Sequence, residues 1–435
     1  MKYFKASFFI IMTLYLLCST AFAARIEISA PGEQTIPLAL TRLLPMGVGG
    51  AHPAVATEFQ QVLLGDLELS GLFDMTNPAS FLSDAGKLGL RRTEIDFYQW
   101  RMLGSEALIK GGYSITAGKL TIELRLFDVI TQRLLTGRRY VGKVTDVRKI
   151  AHTFADQILK SLTGEKGPFS TKIAYISKRT GHKELYLMDV DGYKPIRMTN
   201  HRSIVLNPDF SPTRKELIFT SYKKGNPDLY RKEIYTGQES RLSLKSGLNI
   251  GGRYSPDGRE IALTLSKDKN SEIYLLGTDG TIHRRLTNHY SIDVDPSWSP
   301  KGNKIAFVSD RRGNPNIFIV DIHSREVTRL TFEGKYNATP AWNPKGGRIA
   351  YSRMDDGIFN IFTIRENGTD ERQLTFGSGN KEHPRWSPDG RFLIYSNDLG
   401  GNGKSIWIMR ADGTGAKRIS AHGGNDSHPA WSHRW

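Results

Sequence analysis

The chain has 435 residues, a formal net charge of +16, 39% hydrophobic residues and a single cysteine. A chain of this length can bury sizeable cores without disulfides, and beyond its first residues no apolar stretch is long enough to span a bilayer. Its basic excess carries no aromatic-basic nucleic-acid motif, which leaves two accounts of the charge: surface solvation, or attraction to an anionic envelope surface or acidic partner.

Residues 1–23 have a basic start (Lys2, Lys5), an apolar run from Ala6 to Leu17, and Ala21-Phe22-Ala23 before the cleavage point. This predicts a cleaved secretory signal, too short and wrongly flanked for a retained membrane helix. Leu17 before Cys18 does not match the small residue that lipid attachment needs. The mature chain would then carry no cysteine. Residues 24–165 are expected to form an α+β domain. Arg25-Ile26-Glu27-Ile28 alternates like a strand. Ala54–Leu69 reads as an amphipathic helix with Phe59, Val62, Leu63 and Leu67 on one face, and 94–103 as a shorter helix. Ala107–Ile115, Leu120–Val129 and Arg133–Val141 read as antiparallel strands. Thr145–Leu162 is predicted to be a helix capped by Thr145 or Asp146, with Ile150, Phe154, Ile158 and Leu162 in register. Residues 166–171, within a Gly- and Pro-containing stretch, serve as the linker.

From residue 172 a period of 44 residues takes over. Phe210-Ser211-Pro212 recurs as Tyr254-Ser255-Pro256, Trp298-Ser299-Pro300, Trp342-Asn343-Pro344 and Trp386-Ser387-Pro388, and Trp431-Ser432 follows 45 residues later. Each unit holds four short strands joined by turn chemistry, which describes a propeller blade. Ser-Pro-Asp-Gly fits a type I turn, and the Asp-Gly pairs at 279–280 and 412–413 mark a second hairpin. Runs such as Lys304–Val308 are nearly continuous apolar strands, as befits sheets covered on both faces. The first unit lacks its aromatic-Ser-Pro strand and the last has little else. Residues 172–435 are therefore expected to form an all-β six-bladed propeller, its ring closed by the C-terminal strand.

Polar residues just before the innermost strands are predicted to face the channel mouth: Asn207, Asp209, Asp293, Asp295, Asn337, Lys381, Glu382, His383, Asp426 and His428. They can hold a partner by many modest hydrogen bonds, or simply satisfy strand ends and channel water. The two His-Pro pairs, 383–384 and 428–429, fit channel hydrogen bonding better than a metal site. Catalytic patterns are weak. There is no Gly-x-Ser-x-Gly elbow and no His-Glu-x-x-His helix. Gly400-Gly401-Asn402-Gly403-Lys404-Ser405 imitates a phosphate loop, but Asp398 stands where its first Gly belongs and the segment joins two strands. Trp298, Trp342 and Trp386 recur at blade spacing, which marks them as inter-blade packing. No cofactor is implied.

The chain resembles the TolB family, the periplasmic propeller proteins of the Tol-Pal system. The resemblance rests on Asp66–Phe73, on Trp100 with Leu103–Leu108, on His152 with Ala155-Asp156, and on Leu162–Gly167, in the order signal, domain, linker and six blades. It implies a non-enzymatic periplasmic adaptor. The propeller would bind the peptidoglycan-associated lipoprotein, Pal, over its channel mouth. The N-terminal segment Ala24, Arg25, Ile26, Glu27 and Ile28 would bind the C-terminal domain of TolA. The family supports outer-membrane invagination at division and outer-membrane integrity, and its propeller mouth also docks colicins. The alternative is a secreted propeller enzyme or sugar-binding propeller acting through the channel. An enzyme needs a convergent acid, base or metal set there, and an adaptor a broad polar rim.

Overall fold

The computed structural model describes residues 35–47, 50–399, 403–421 and 423–434. The predicted signal and the segment Ala24–Ile28 lie outside the described residues.

The N-terminal domain is a sheet covered by two long helices. Its strands are β1 (Ile36–Leu40), β2 (Leu44–Pro45), β3 (Phe73–Met75), β4 (Ala107–Thr116), β5 (Lys119–Asp128) and β6 (Arg133–Lys143); its helices are α1 (Pro53–Ser70), α2 (Phe97–Met102) and α3 (Val147–Thr163). The sheet order is β3-β1-β4-β5-β6, with β2 also pairing β4. The antiparallel β4, β5 and β6 match the expected strands, but β1 runs parallel to both β3 and β4, so the sheet is mixed. Parallel pairing of β1 with β3 follows from α1, which supplies the long crossover that parallel neighbours require. The predicted helix faces are buried: Phe59, Val62, Leu63 and Leu67 on α1, and Ile150, Phe154, Ile158 and Leu162 on α3. Asp146, one of the two predicted caps, stands at the N-cap of α3, but its side chain makes no capping bond to that helix. A short 3₁₀ turn, Val144–Asp146, precedes the helix, and the Asp146 carboxylate turns back to accept from the Lys143 backbone N–H at 2.8 Å.

Six four-stranded sheets form the propeller. The inner strands are Val205–Phe210, Asn249–Tyr254, Asp293–Trp298, Tyr336–Trp342, Lys381–Trp386 and Ser427–Trp431. The last pairs with Lys172–Ser177, placing Ala430 opposite Ala174 and Trp431 opposite Ile173. The C-terminal strand thus completes the blade begun at Lys172, as expected. Second strands such as Lys304–Ser309 are buried at every position after the first. The indoles reach from blade to blade: Trp298 Nε1 donates to Arg253 O at 3.0 Å and Trp386 Nε1 to Ala341 O at 2.9 Å. Lys404 opens the strand Lys404–Arg410, so the phosphate-loop look-alike leads into a strand and has no helix N-terminus to offer.

The inner strands all begin on one side of the disc, the leading face, and end at the aromatic-Ser-Pro turns on the other, the turn face. The N-terminal domain sits on the turn face. Arg410 donates to Leu69 O and Glu68 O, each at 3.1 Å, and so satisfies the last carbonyls of α1. Gly71 is needed at that junction twice over. Its φ is 68°, and an added Cβ would stand 2.3 Å from Arg410 Nε.

Candidate functional site: the propeller channel and its two mouths

Every inner strand carries the same irregularity. Pairing with the second strand shifts register across 206/209, 250/253, 294/297, 338/341, 382/385 and 427/430. Within each bulge one residue has positive φ: Asn207, Gly251, Asp295, Thr339, His383 and His428. In five of the six blades the next residue is proline, which has no N–H to give the ladder, and the bulge removes that demand. These positions form a ring around the channel. A Cβ at Gly251 would stand 3.5 Å from Asp295 Oδ1 and 3.8 Å from Asn207 Nδ2, and the His383 and His428 rings lie 4.0 Å apart. Burial drives the imidazole of His383 down to about 4, with Glu382 opposing weakly. Burial and then His383 itself push His428 well below the usual range. The pair is therefore neutral near pH 7. Burial also raises Asp295, against the pull of Arg253.

The structure sorts the sequence-predicted residues into three sets. Asn207, Asp295, His383 and His428 are brought together in the ring, with Glu382 beside it, ion-paired to Lys404. Asp209 sits at the other end of its strand, near the turn face, where it accepts from Tyr254 N at 2.9 Å and lies 3.8 Å from Arg253. Asp293, Asn337, Lys381 and Asp426 are buried within their blades, which corrects the expectation that they face the mouth. Each meets a polar need of its own blade. Asp293 accepts from Arg311 at 2.7 Å and Asp426 pairs with Arg179 at 3.3 Å. Asn337 Nδ2 donates to Glu333 O at 2.8 Å, and Lys381 Nζ to Gly377 O at 2.7 Å and Ser378 O at 2.8 Å. Alternation along the chain at the start of each inner strand turns these residues into the blade and their neighbours away from it.

What the sequence reading missed is the apolar rim of the leading face. Leu244, Tyr290, Ile292, Phe332, Tyr336 and Phe376 are all exposed there, Tyr290 to 86% and Phe376 to 70%. They lie on the connections between blades and at the first residue of an inner strand. A signal was available: Leu244, Phe332 and Phe376 share one phase of the 44-residue period, and Ile292 and Tyr336 another.

The turn face differs in charge and in cover. Here the N-terminal domain is tied to the first blade through a buried ionic group. His152 Nδ1 lies 2.7 Å from Asp66 Oδ2, and His152 Nε2 lies 3.6 Å from Asp191 Oδ2 of the propeller. Arg148 pairs with Asp191, and its guanidinium lies 3.9 Å from the Tyr193 ring centre. Burial opposes the charge on His152, but Asp66 and Asp191 outweigh it and raise the imidazole to about 10. Burial likewise works against Asp191, yet His152 and Arg148 hold it at about 2. Among the described residues, His152, Asp189 and Asp191 form a cluster of metal-ligating type. Its carboxylates are already engaged, Asp189 by Lys172 and Asp191 by Arg148.

Fold and site together define a two-domain propeller protein with one channel mouth uncovered by the described residues and the other flanked by its own N-terminal domain. Residues 159–435 match the TolB beta propeller domain and residues 24–135 the TolB amino-terminal domain. The chain belongs to the TolB family. It is 61% identical over 212 residues to the Tol-Pal system protein TolB of Syntrophotalea carbinolica, covering 48% of this chain and 49% of that protein. It is 47% identical over 192 residues to the TolB of Geobacter sulfurreducens, covering 44% and 43%. These alignments span about half the length of the curated relatives. Among solved structures it is similar to TolB from Acinetobacter baumannii, with a TM-score of 0.80 at 26% identity, over 94% of this chain and 99% of that one.

Proposed function

We propose that this protein is a non-enzymatic periplasmic adaptor of the Tol-Pal system that docks the peptidoglycan-associated lipoprotein on its leading face. The observation that carries the reading is the exposed apolar rim around a polar channel, on the face opposite the described N-terminal domain. Large apolar side chains at 39–86% exposure, clustered about a concave polar centre, are the mark of an interaction surface. Aromatic anchors at such a rim supply most of the binding energy, and the channel polar groups supply register. The segment Ala24–Ile28 is assigned the contact with the C-terminal domain of TolA. Docking at both ends would link the envelope layers during outer-membrane invagination and keep the outer membrane intact. Colicins would compete for the same leading mouth. The channel ring supports this reading over an enzyme, since its two imidazoles lie against each other, tilted by 37°, as a neutral pair beside blade hydroxyls.

Titration calorimetry of the exported protein against the soluble domain of the lipoprotein tests the proposal. Saturable one-to-one binding is the expected result. Absence of binding by a folded propeller would remove it. Deleting residues 24–28 should abolish capture of TolA while leaving lipoprotein binding intact, and retained capture would move that contact elsewhere.

A further inference from the structure

The propeller closes on itself, but the N-terminal sheet does not. Its order, β3-β1-β4-β5-β6, leaves one edge at β3 and the other at β6. The β3 edge has three residues, too short a row to offer much to another chain. β6 has 11 residues and pairs with β5 on one side. Among the described residues no strand pairs with its other side. Its register with β5 jumps once, between Leu126 and Phe127, and then runs unbroken from Thr136 to Lys143. Such an edge presents a row of backbone donors and acceptors to a further strand, and no proline interrupts it. At its end the Lys143 N–H is taken by Asp146 at 2.8 Å, and in its middle Arg138 O accepts only a long bond, from Arg125 at 3.3 Å.

The strand is held from within and charged without. Leu135 and Tyr140 are half-buried against the core of the domain, while Leu134, Arg138, Arg139, Val141 and Lys143 are exposed, Val141 to 51%. β6 contains no acid. Glu123, across the ladder on β5, is shared between Arg125 at 3.2 Å and Arg139 at 3.5 Å. Lys119 stands opposite Lys143, cation against cation. Among the described residues no carboxylate pairs with the Arg138 guanidinium, which donates to Gly137 O at 2.9 Å and keeps most of its fork free.

Open geometry and charge together select the occupant. A second copy laid antiparallel across the middle of the strand would set Arg138 against Arg139, like charges directly opposed. An extended segment with alternating carboxylates meets Arg138, Arg139 and Lys143 with opposite charge. Main-chain bonds to the edge supply affinity, and alternate side chains supply selection. We propose that the β6 edge, Thr136–Lys143, is a docking site for an extended acidic segment of a partner protein, which adds to the N-terminal sheet as its next strand. The site lies on the N-terminal domain, apart from the leading face of the propeller.

The probe is a short acetylated and amidated peptide alternating glutamate with valine, and its lysine–valine counterpart is the control. Calorimetry on the full chain should show one saturable site for the acidic peptide, weakened as salt is raised, and none for the basic one. Amide exchange followed by NMR should show alternate N–H groups of residues 136–143 gaining protection as the peptide binds. Attraction to the arginines alone would not produce that pattern. Arg138→Glu combined with Arg139→Glu should weaken the acidic peptide by roughly 10-fold and leave folding near that of wild type. No binding of the acidic peptide, equal binding of the basic one, binding without new protection in β6, or undiminished affinity in the double variant would each overturn the assignment. So would edge amides already protected in the free chain, whether by a second copy or by another part of the same one.

Discussion

The two faces of the propeller are built from the same repeat and end up chemically opposite. On the leading face, the inter-blade connections expose Leu244, Tyr290, Phe332 and Phe376, and the described elements of the N-terminal domain sit on the opposite face. On the turn face the hairpins carry charges that are already spent on the N-terminal domain: Asp191 on Arg148 and His152, Lys345 on Glu165 at 2.8 Å, and Arg410 on the end of α1. Arg434 adds a bond to Gly167 O at 2.9 Å, fastening the linker to the C-terminal end of the chain. A closed ring has no free sheet edge, so its partners must come to one of the two faces. The comparison teaches that sidedness comes from loop residues, which vary between repeats, while the strands between them stay alike.

The largest effect should come from breaking the ring on which both faces depend. Trp431 is 7% exposed, donates to Thr171 Oγ1 at 2.8 Å and belongs to the strand that zips the first blade. Trp431→Ala should cost about 3–5 kcal/mol in chemical denaturation. Deleting residues 426–435 should open the ring, and an unchanged melting temperature in that truncation would contradict strand closure.

Next comes the ionic tie on the turn face. His152→Ala leaves Asp66 buried without its partner and should cost about 3 kcal/mol. The pH dependence has a definite sign. Because the folded pKa of His152 is raised to about 10, its contribution is fully present below the unfolded value of about 6.5 and is lost as pH rises toward 10. Asp191, held at about 2, contributes above the unfolded carboxylate range and loses that contribution as pH falls toward 2. Denaturation of wild type and His152→Ala across pH 6–10 should therefore converge at the alkaline end. Parallel curves would show that the tie is held by packing and not by charge.

The leading face should respond in the reverse manner, in binding and not in stability. Phe332→Ala and Phe376→Ala remove exposed rings, so folding should stay within about 0.5 kcal/mol of wild type. Affinity for the lipoprotein domain should fall by about 1–2 kcal/mol each if these rings are anchors. Loss of stability without loss of affinity would reverse the roles assigned to the two faces.

Much of this was legible beforehand, and the reasons are physical. The 44-residue period exposes blade number and closure because buried strands repeat their apolar pattern strictly. Helices α1 and α3 were visible because Phe59–Leu67 and Ile150–Leu162 keep their spacing. Strands β1 and β3 were not, since β1 has five residues and β3 three, too few to show a period. The mouth residues were partly misplaced for a different reason. Asp293, Asn337, Lys381 and Asp426 are polar and stand at the starts of the inner strands, which resembles a rim in one dimension. Their partners lie in adjoining loops: Glu333 and Gly377 stand four residues upstream, while Arg311 and Arg179 are brought close only by the fold. The bulge that turns Asn207, Asp295, His383 and His428 inward was written in the recurring Pro that follows each of them.

That bulge supplies the smallest and sharpest test, on the channel that joins the faces. Five of the six ring positions hold Asn, Gly, Asp or His, the residue types that best tolerate positive φ. The exception is Thr339, β-branched at φ 50°, whose hydroxyl lies 2.9 Å from Ser352 Oγ. Left-handed backbone costs a β-branched residue about 1–2 kcal/mol, and a neutral hydrogen bond returns about 1 kcal/mol. Thr339→Asn relieves the backbone and keeps a polar side chain, so it should stabilise the propeller by about 0.5 kcal/mol. Destabilisation would mean that the Ser352 contact outweighs the strain. Thr339 would then be kept for that contact, which also orients the Ser352 hydroxyl accepting from His383 N at 3.2 Å, and so steadies the ring at its histidine pair.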